Sequence, residues 1–283
     1  MKKVCLVLEG GSMRGMFSAG VLDTFLKEGI EANGIIGVSA GALFGPNYYS
    51  KQLGRALRYN QRFCKDYRNM SFLSFLFTGN LVNKKFAYYD ITLKYDIFDN
   101  ETYMKNNKGY YVTVTNVETG EAEYLELNDV IKDMEILRAT AAIPVVSEIV
   151  NINGKKYLDG GVADSIPVLK ALEMGYDKVI VILTRPIEYR KEPVSSKLMN
   201  IIKLKYKKYP KFIHTMENRY KVYNETVEKI IELENENKIF VIRPSVPIQL
   251  KTIVRNKEDL QEVYDLGVKN TYERLEELRR YIQ

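Results

Sequence analysis

Tryptophan is absent from the 283-residue sequence, histidine occurs once, at His214, and cysteine twice, at Cys5 and Cys64. A single imidazole excludes HExxH zinc sites and every mechanism that needs two histidines. Two cysteines without CxxC spacing make neither a disulfide framework nor a thiolate metal site, so a reducing, cytoplasmic setting is expected, with no metal and no cofactor. Long apolar runs are also scarce. The amino-terminal run after Met1-Lys2-Lys3 ends at Glu9, too soon for a signal peptide. The stretch 32–50 carries no charge, yet it contains Gly34, Gly37, Gly41, Gly45, Pro46 and Asn47. It reads as a buried strand, a tight turn and a helix rather than a membrane span. Charge of one sign is not in great excess: 42 Lys and Arg against 36 Asp and Glu leave +6, far from a nucleic-acid-binding tail. With 46% hydrophobic and 28% charged residues, the chain has the composition of a globular protein with a large core.

Apolar runs and glycines mark the order of elements. Residues 4–8 form a short run closed by Gly10-Gly11, the pattern of a strand buried on both faces. A helix follows, with Met16, Phe17, Val21, Leu22, Phe25 and Leu26 near helical spacing and Gly29 past its end. A second buried strand, 34–38, leads into a helix over 40–49. Residues 51–68 are basic and helical, and Phe72-Leu73-Ser74-Phe75-Leu76-Phe77 is an aromatic cluster suited to core or to an acyl-chain wall. Residues 110–117 and 121–127 read as a hairpin, Asp129 as the cap of a helix reaching Ala141, and Asn153-Gly154 as a two-residue hairpin turn. Residues 178–183 are another buried strand. Beyond Pro193 come a long helical stretch to about Glu236, interrupted at Pro210, a strand over 239–242 and a charged helix over 259–281. Alternating strands and helices predict one α/β domain with helical embellishments.

Three clusters carry chemistry. Gly37-Val38-Ser39-Ala40-Gly41 is G-x-S-x-G between a buried strand and a helix, where it forms a nucleophile elbow. Gly37 and Gly41 let strand and helix approach through a strained turn, so the Ser39 hydroxyl projects beside a helix amino terminus. The plain alternative is a glycine-rich turn with an incidental serine. Gly10-Gly11-Ser12-Met13-Arg14-Gly15 follows the first strand, where exposed backbone N–H groups suit a negative oxygen. A dinucleotide loop competes for this segment, with Glu31 at ribose distance. Ser12 in place of the middle glycine, and Glu31 preceding the second strand rather than ending it, argue against that reading. Asp159-Gly160-Gly161 places a carboxylate on a closely approachable backbone, or is an ordinary turn.

In this order the three motifs resemble the patatin-like phospholipase family, with its glycine-rich loop, G-x-S-x-G serine and D-G-G or D-G-A aspartate. The resemblance covers about 4–183 and includes Arg138-Ala139-Thr140-Ala141-Ala142-Ile143-Pro144. It implies a three-layer α/β/α fold with a mostly parallel central sheet and a helical carboxyl-terminal extension, divided as a catalytic core over 1–190 and an extension over 191–283 packed on the same domain. It further implies a Ser-Asp dyad, with Ser39 as nucleophile, Asp159 as general base and the amides of Gly10, Gly11, Ser12, Met13, Arg14 and Gly15 as oxyanion donors. The implied activity is hydrolysis of lipid acyl esters, such as phospholipids or lysophospholipids, through an acyl-enzyme. A thioesterase or acyltransferase, or a non-catalytic lipid-binding module, are the alternatives. His214 has no motif around it.

Over 201–221, Lys203, Lys205, Lys207, Lys208, Lys211, Arg219 and Lys221 face only Glu217, with Tyr206, Tyr209, Phe212 and Tyr220 interleaved. This pattern fits either a solvated helix face or peripheral contact with an anionic membrane surface.

Overall fold

Alternating burial of short β-branched runs builds the sheet. In β1 (Val4–Leu8), Val4, Leu6 and Leu8 enter one core while Cys5 and Val7 enter another on the opposite face. The same alternation recurs in β7 (Lys178–Ile182) and β8 (Ile239–Ile242), so these strands are apolar on both sides and central to a layered structure. The computed structural model describes residues 2–69, 71–250 and 254–283.

Within the described residues the sheet has eight strands. The others are β2 (Gly34–Val38), β3 (Tyr110–Asn116), β4 (Ala122–Glu126), β5 (Val150–Ile152) and β6 (Lys155–Asp159). Parallel pairs join β3 to β2, β2 to β1, β1 to β7 and β7 to β8. Antiparallel pairs join β4 and β6 to β3, and β5 to β6. The β5–β6 turn is Asn153-Gly154, both in the left-handed region at φ +50° and +83°, as a two-residue hairpin requires.

Among the described residues there are twelve α-helices: α1 (Met16–Lys27), α2 (Ala40–Phe44), α3 (Pro46–Tyr49), α4 (Arg55–Phe63), α5 (Phe72–Thr78), α6 (Asn100–Asn106), α7 (Met134–Thr140), α8 (Val168–Glu173), α9 (Ser196–Lys205), α10 (Pro210–Asn235), α11 (Lys257–Glu273) and α12 (Leu275–Ile282). A π-type helix spans Lys84–Tyr95. One core unites β-sheet side chains with α1, α2, α7, α11 and α12, and the other packs α8 and the latter half of α10 on the opposite face. The result is a three-layer α/β/α fold with a predominantly parallel sheet.

Several elements differ from expectation for local reasons. The helix expected over 40–49 breaks into α2 and α3 because Pro46 has no N–H to continue it. Asp129 does not cap α7: its Oδ1 accepts from the Ile131 and Lys132 amides, closing a turn five residues before the helix begins at Met134. The expected helix over 259–281 is two helices joined at Arg274. Tyr206 and Phe212 point into the core, where each is at most 1% exposed, and so do not belong to a surface aromatic belt.

Helices α1 and α11 cross unusually closely because each presents a glycine to the other's backbone. A Cβ on Gly20 would lie 2.2 Å from the Tyr264 carbonyl oxygen, and one on Gly267 2.2 Å from that of Phe17. Backbone cannot rotate aside as a side chain does. Gly20→Ala or Gly267→Ala should each destabilise the protein by about 1–3 kcal/mol in denaturant unfolding, and the double variant should fall short of additivity because the first methyl already separates the helices.

Candidate active site

Ser39 sits between β2 and α2 at φ +50° and ψ −120°, a conformation costing about 1–3 kcal/mol that only surrounding structure can hold. Two contacts hold it: its amide donates to Thr140 Oγ1 at 2.9 Å, and its carbonyl accepts from the Leu43 amide at 3.0 Å. Glycine is required on either side because a Cβ at Gly37 would be 2.6 Å from Ala42 Cα, and one at Gly41 2.6 Å from the Leu8 carbonyl oxygen.

Strand β3 brings the carboxylate to this elbow. On β3, Thr113 pairs with Val38, the residue before Ser39, and the next residue, Val114, pairs with Asp159. Because β4 occupies one edge of β3 from Tyr111 to Thr115, β2 and β6 must share the other edge end to end. Ser39 Oγ consequently donates to Asp159 Oδ2 at 2.8 Å across 120 residues of sequence. The other oxygen, Oδ1, accepts from the Gly161 amide at 2.8 Å. The Asp159 backbone is fixed by its amide donating to the Ala142 carbonyl at 3.0 Å and its carbonyl accepting from Thr115 Oγ1 at 2.8 Å. Gly160 lies so close to β3 that a Cβ would be 2.1 Å from the Thr113 carbonyl oxygen.

The loop after β1 completes the arrangement. Gly10, Gly11, Ser12, Met13 and Arg14 line one cavity with Ser39, Asp159 and Gly161. Among the described residues nothing accepts from the Gly10 and Gly11 amides, which leaves both available to an oxyanion. The Ser39 amide is committed to Thr140. Gly15 does not line the cavity; it is the contact that lets the loop approach Ala40 and Phe44, each 2.9 Å from a Cβ placed there. Ser12 adopts φ +51°, the left-handed region, at the position where the resembling motif carries glycine.

The cavity has a volume of about 500 Å³. Its apolar wall comes from Leu43 and Phe44 of α2, Tyr88 and Ile91 of the π-type helix, and Met134 and Leu137 of α7. Phe75 is not among its lining residues, and the side chains of Phe72 and Phe77 lie outside the described residues. His214 is exposed on α10 with Asn218 as its neighbour, away from the cavity. Among the described residues no group of three or more His, Cys, Asp or Glu side chains is placed to hold a metal ion.

Burial raises the Asp159 carboxyl above the ordinary aspartate range, although the Gly161 amide, Arg219, Ser39 and Lys191 all pull it down. Two polar residues of the cavity, Arg185 and Lys191, carry no local sequence motif, while Thr140 and Arg219 lie in stretches that the sequence singles out without assigning those two side chains to the site. Thr140 stands within the Arg138-Ala139-Thr140-Ala141-Ala142-Ile143-Pro144 stretch, and its hydroxyl links the Ser39 amide to the Thr113 carbonyl at 2.6 Å. Glu9 could have been noticed as a charge between a buried strand and two glycines. It is 2% exposed, its Oε2 accepting from the Thr184 amide and hydroxyl and its Oε1 from the Tyr223 hydroxyl at 2.8 Å.

Comparison with known proteins shows the family of the chain. The model of the patatin-like phospholipase family matches residues 6–172, more than half the chain, and the protein belongs to that family of lipid hydrolases. A domain of unknown function (DUF6363) matches residues 209–283. An uncharacterised Escherichia coli K12 protein, YjjU, is 27% identical over 275 residues, spanning 94% of this chain and 75% of YjjU. The crystal structure of VipD from Legionella pneumophila aligns with 98% of this chain and 67% of its own at a TM-score of 0.48 and 12% identity.

The raised Asp159 pKa has a definite sign. The folded state holds that proton more tightly than the unfolded state, so this group's contribution to stability is full at acid pH and is lost as pH rises through the folded value. At neutral pH the buried carboxylate is therefore a net cost to the fold. Asp159→Asn should raise the melting temperature at neutral pH while lowering ester hydrolysis by at least about a hundredfold. The wild-type rate should fall on acidification at a pH above the ordinary aspartate range.

Proposed function

We propose that the protein is a serine acyl hydrolase that cleaves lipid acyl esters with Ser39 as nucleophile and Asp159 as its base. The observation that carries this reading is the 2.8 Å hydrogen bond from Ser39 Oγ to Asp159 Oδ2 in a cavity of about 500 Å³ that Leu43, Phe44, Ile91, Met134 and Leu137 also line. Ser39 Oγ attacks the ester carbonyl carbon as its proton passes to Asp159 Oδ2, and the Gly10 and Gly11 amides receive the oxyanion. Collapse of the tetrahedral intermediate breaks the bond to the alkoxy oxygen, which leaves as the alcohol with the proton from Asp159. Water then attacks the acyl-enzyme, Asp159 takes its proton, and returning that proton to Ser39 Oγ releases the fatty acid. A carboxylate whose pKa is raised by burial is the better base for this work.

Replacement of Ser39 by Ala should leave the fold intact, abolish covalent labelling by a fluorophosphonate and reduce hydrolysis of a long-chain ester by at least about a thousandfold. Labelling that persists in the variant would show that another residue is the nucleophile.

Contact with an anionic membrane surface belongs to the same proposal, and α9 supports it. Met199 and Ile202 fix its inner face, while Leu198, Ile201 and Leu204 are 41%, 43% and 76% exposed along its outer face. Lys207, Lys208 and Lys211 are exposed just beyond it. The helix is tied to the cavity at both ends: Val194 lines the cavity, and the Val145 amide, next to lining residue Pro144, donates to the Tyr206 hydroxyl at 2.9 Å. No helix among the described residues is long and apolar enough to cross a membrane. Binding to vesicles should increase with anionic lipid and weaken with salt, and replacing Lys207, Lys208 and Lys211 by Gln together with Leu204→Gln should lower the affinity by at least about tenfold. Equal binding to neutral and anionic vesicles would count against the surface.

A further inference from the structure

Five cations line the cavity with Ser39. Arg55 is paired with Asp96 at 3.3 Å, whereas Arg14, Arg185, Lys191 and Arg219 have no carboxylate within 4 Å among the described residues. Each is instead positioned by a neutral partner or left without one. Arg219 Nε donates to the Gly161 carbonyl at 2.6 Å, beside the amide that holds Asp159. Lys191 Nζ lies 3.3 Å from Ser165 Oγ and 3.9 Å from the centre of the Tyr223 ring. The Arg185 guanidinium stacks on Tyr189 at 4.1 Å. Arg14 Nε is buried with no hydrogen-bond partner. Besides Asp159 two carboxylates line the cavity: Glu192, and Glu9, whose oxygens are occupied by Thr184 and Tyr223. All four are half-buried. Partly desolvated cations without a counter-charge are costly, and a site that retains several is built for an anion that arrives with the ligand.

Resting on the acyl-hydrolase reading, we propose that these four residues form the headgroup subsite, and that the substrate is a lipid ester ending in a phosphate monoester. Two negative charges on one phosphate match a group of cations, and bidentate guanidinium contacts suit its oxygens. A choline or ethanolamine headgroup would bring an ammonium into the same cluster and is disfavoured by like-charge repulsion. The apolar wall beyond Ser39 takes the acyl chain, which distinguishes a phosphate-bearing lipid from free phosphate. Arg185, Lys191 and Arg219 all lie downstream of the family match over 6–172, so the chain beyond it supplies three of the four cations.

The Lys191 ammonium provides an independent readout. Burial and then Arg219 draw its pKa down to about 7, Arg14 acting in the same direction and Glu9 and Asp159 in the other, with the Tyr223 ring alongside. Arrival of a phosphate should restore the proton to Lys191.

The test uses short-chain ether lipids, which bind without turnover, so that its result is separate from the question of hydrolysis; fluorophosphonate labelling of the same preparation reads Ser39. Calorimetric titration of the full chain should show the alkylglycerol phosphate binding at least about tenfold more tightly than the alkylglycerol, the alkylglycerophosphocholine or inorganic phosphate. Binding slightly above neutral pH should take up a proton, seen as a heat that depends on buffer ionisation. Lys191→Gln and Arg185→Gln should each reduce the preference for the phosphate lipid over the alkylglycerol by at least about tenfold, and Lys191→Gln should remove the proton uptake. Equal or tighter binding of the phosphocholine lipid would overturn the proposal even if neither variant folded. Inorganic phosphate binding as tightly as the phosphate lipid would overturn the lipid as the ligand, and unchanged preferences in both variants would overturn the subsite.

Discussion

Everything at the site depends on one strand serving two others. With β4 on one edge, β3 uses its remaining edge for β2 over its first half and for β6 over its second. Register then decides the chemistry: Val38 and Asp159 pair with consecutive β3 residues, so the serine leaving β2 meets the carboxylate ending β6. A slip of one residue would turn Asp159 to the other face of the sheet. The surrounding bonds stiffen this meeting point. Thr113 offers its carbonyl to Thr140, Thr140 receives the Ser39 amide, and Thr115 holds the Asp159 carbonyl. Strain in the elbow and the strand register are thus maintained by the same few hydroxyls.

The electrostatics of the site are set against stability. A carboxylate buried in the cavity is kept from a still higher pKa by Arg219 and Lys191, and those cations are themselves half-buried with neutral partners, the Gly161 carbonyl and the Ser165 hydroxyl. Burial also lowers the pKa of Arg14, with Arg185 adding to the effect. Among the described residues, Arg14, Arg185, Lys191 and Arg219 share one cavity with Asp159 and Glu9 without forming ion pairs with them.

The cavity is assembled from segments far apart in sequence. Its lining joins the loop after β1 to residues of β6, the segment after β7 and α10, and to residues of the π-type helix and α7. Helix α10 runs from one core to the other, with Phe212 and Met216 on one side and Tyr223 to Leu233 on the opposite face of the sheet. This crossing carries Arg219 and Tyr223 past the active-site cavity, and β8 then extends the same sheet alongside β7. The downstream chain is therefore part of the site and not only its support.

Local features of the sequence determined much of this architecture. Apolar runs of five residues specified the central strands, Asn153-Gly154 specified the hairpin that presents Asp159, and glycines two positions either side of Ser39 specified a turn too tight for side chains. These signals are legible because each arises from steric or burial constraints within a few residues. The π-type helix was not legible, since the apolar residues of Lys84–Tyr95 do not gather on one face at helical spacing. Nor was the close crossing of α1 and α11, because Gly20 and Gly267 acquire their meaning only from one another. The same holds at the site. Motifs single out Ser39 and Asp159, but their 2.8 Å approach, the seat of Thr140 beneath the serine and the gathering of Arg185, Lys191 and Arg219 around it were decided by strand register and helix crossing. Those are long-range pairings, and a sequence pattern carries no trace of them until the backbone has brought the partners together.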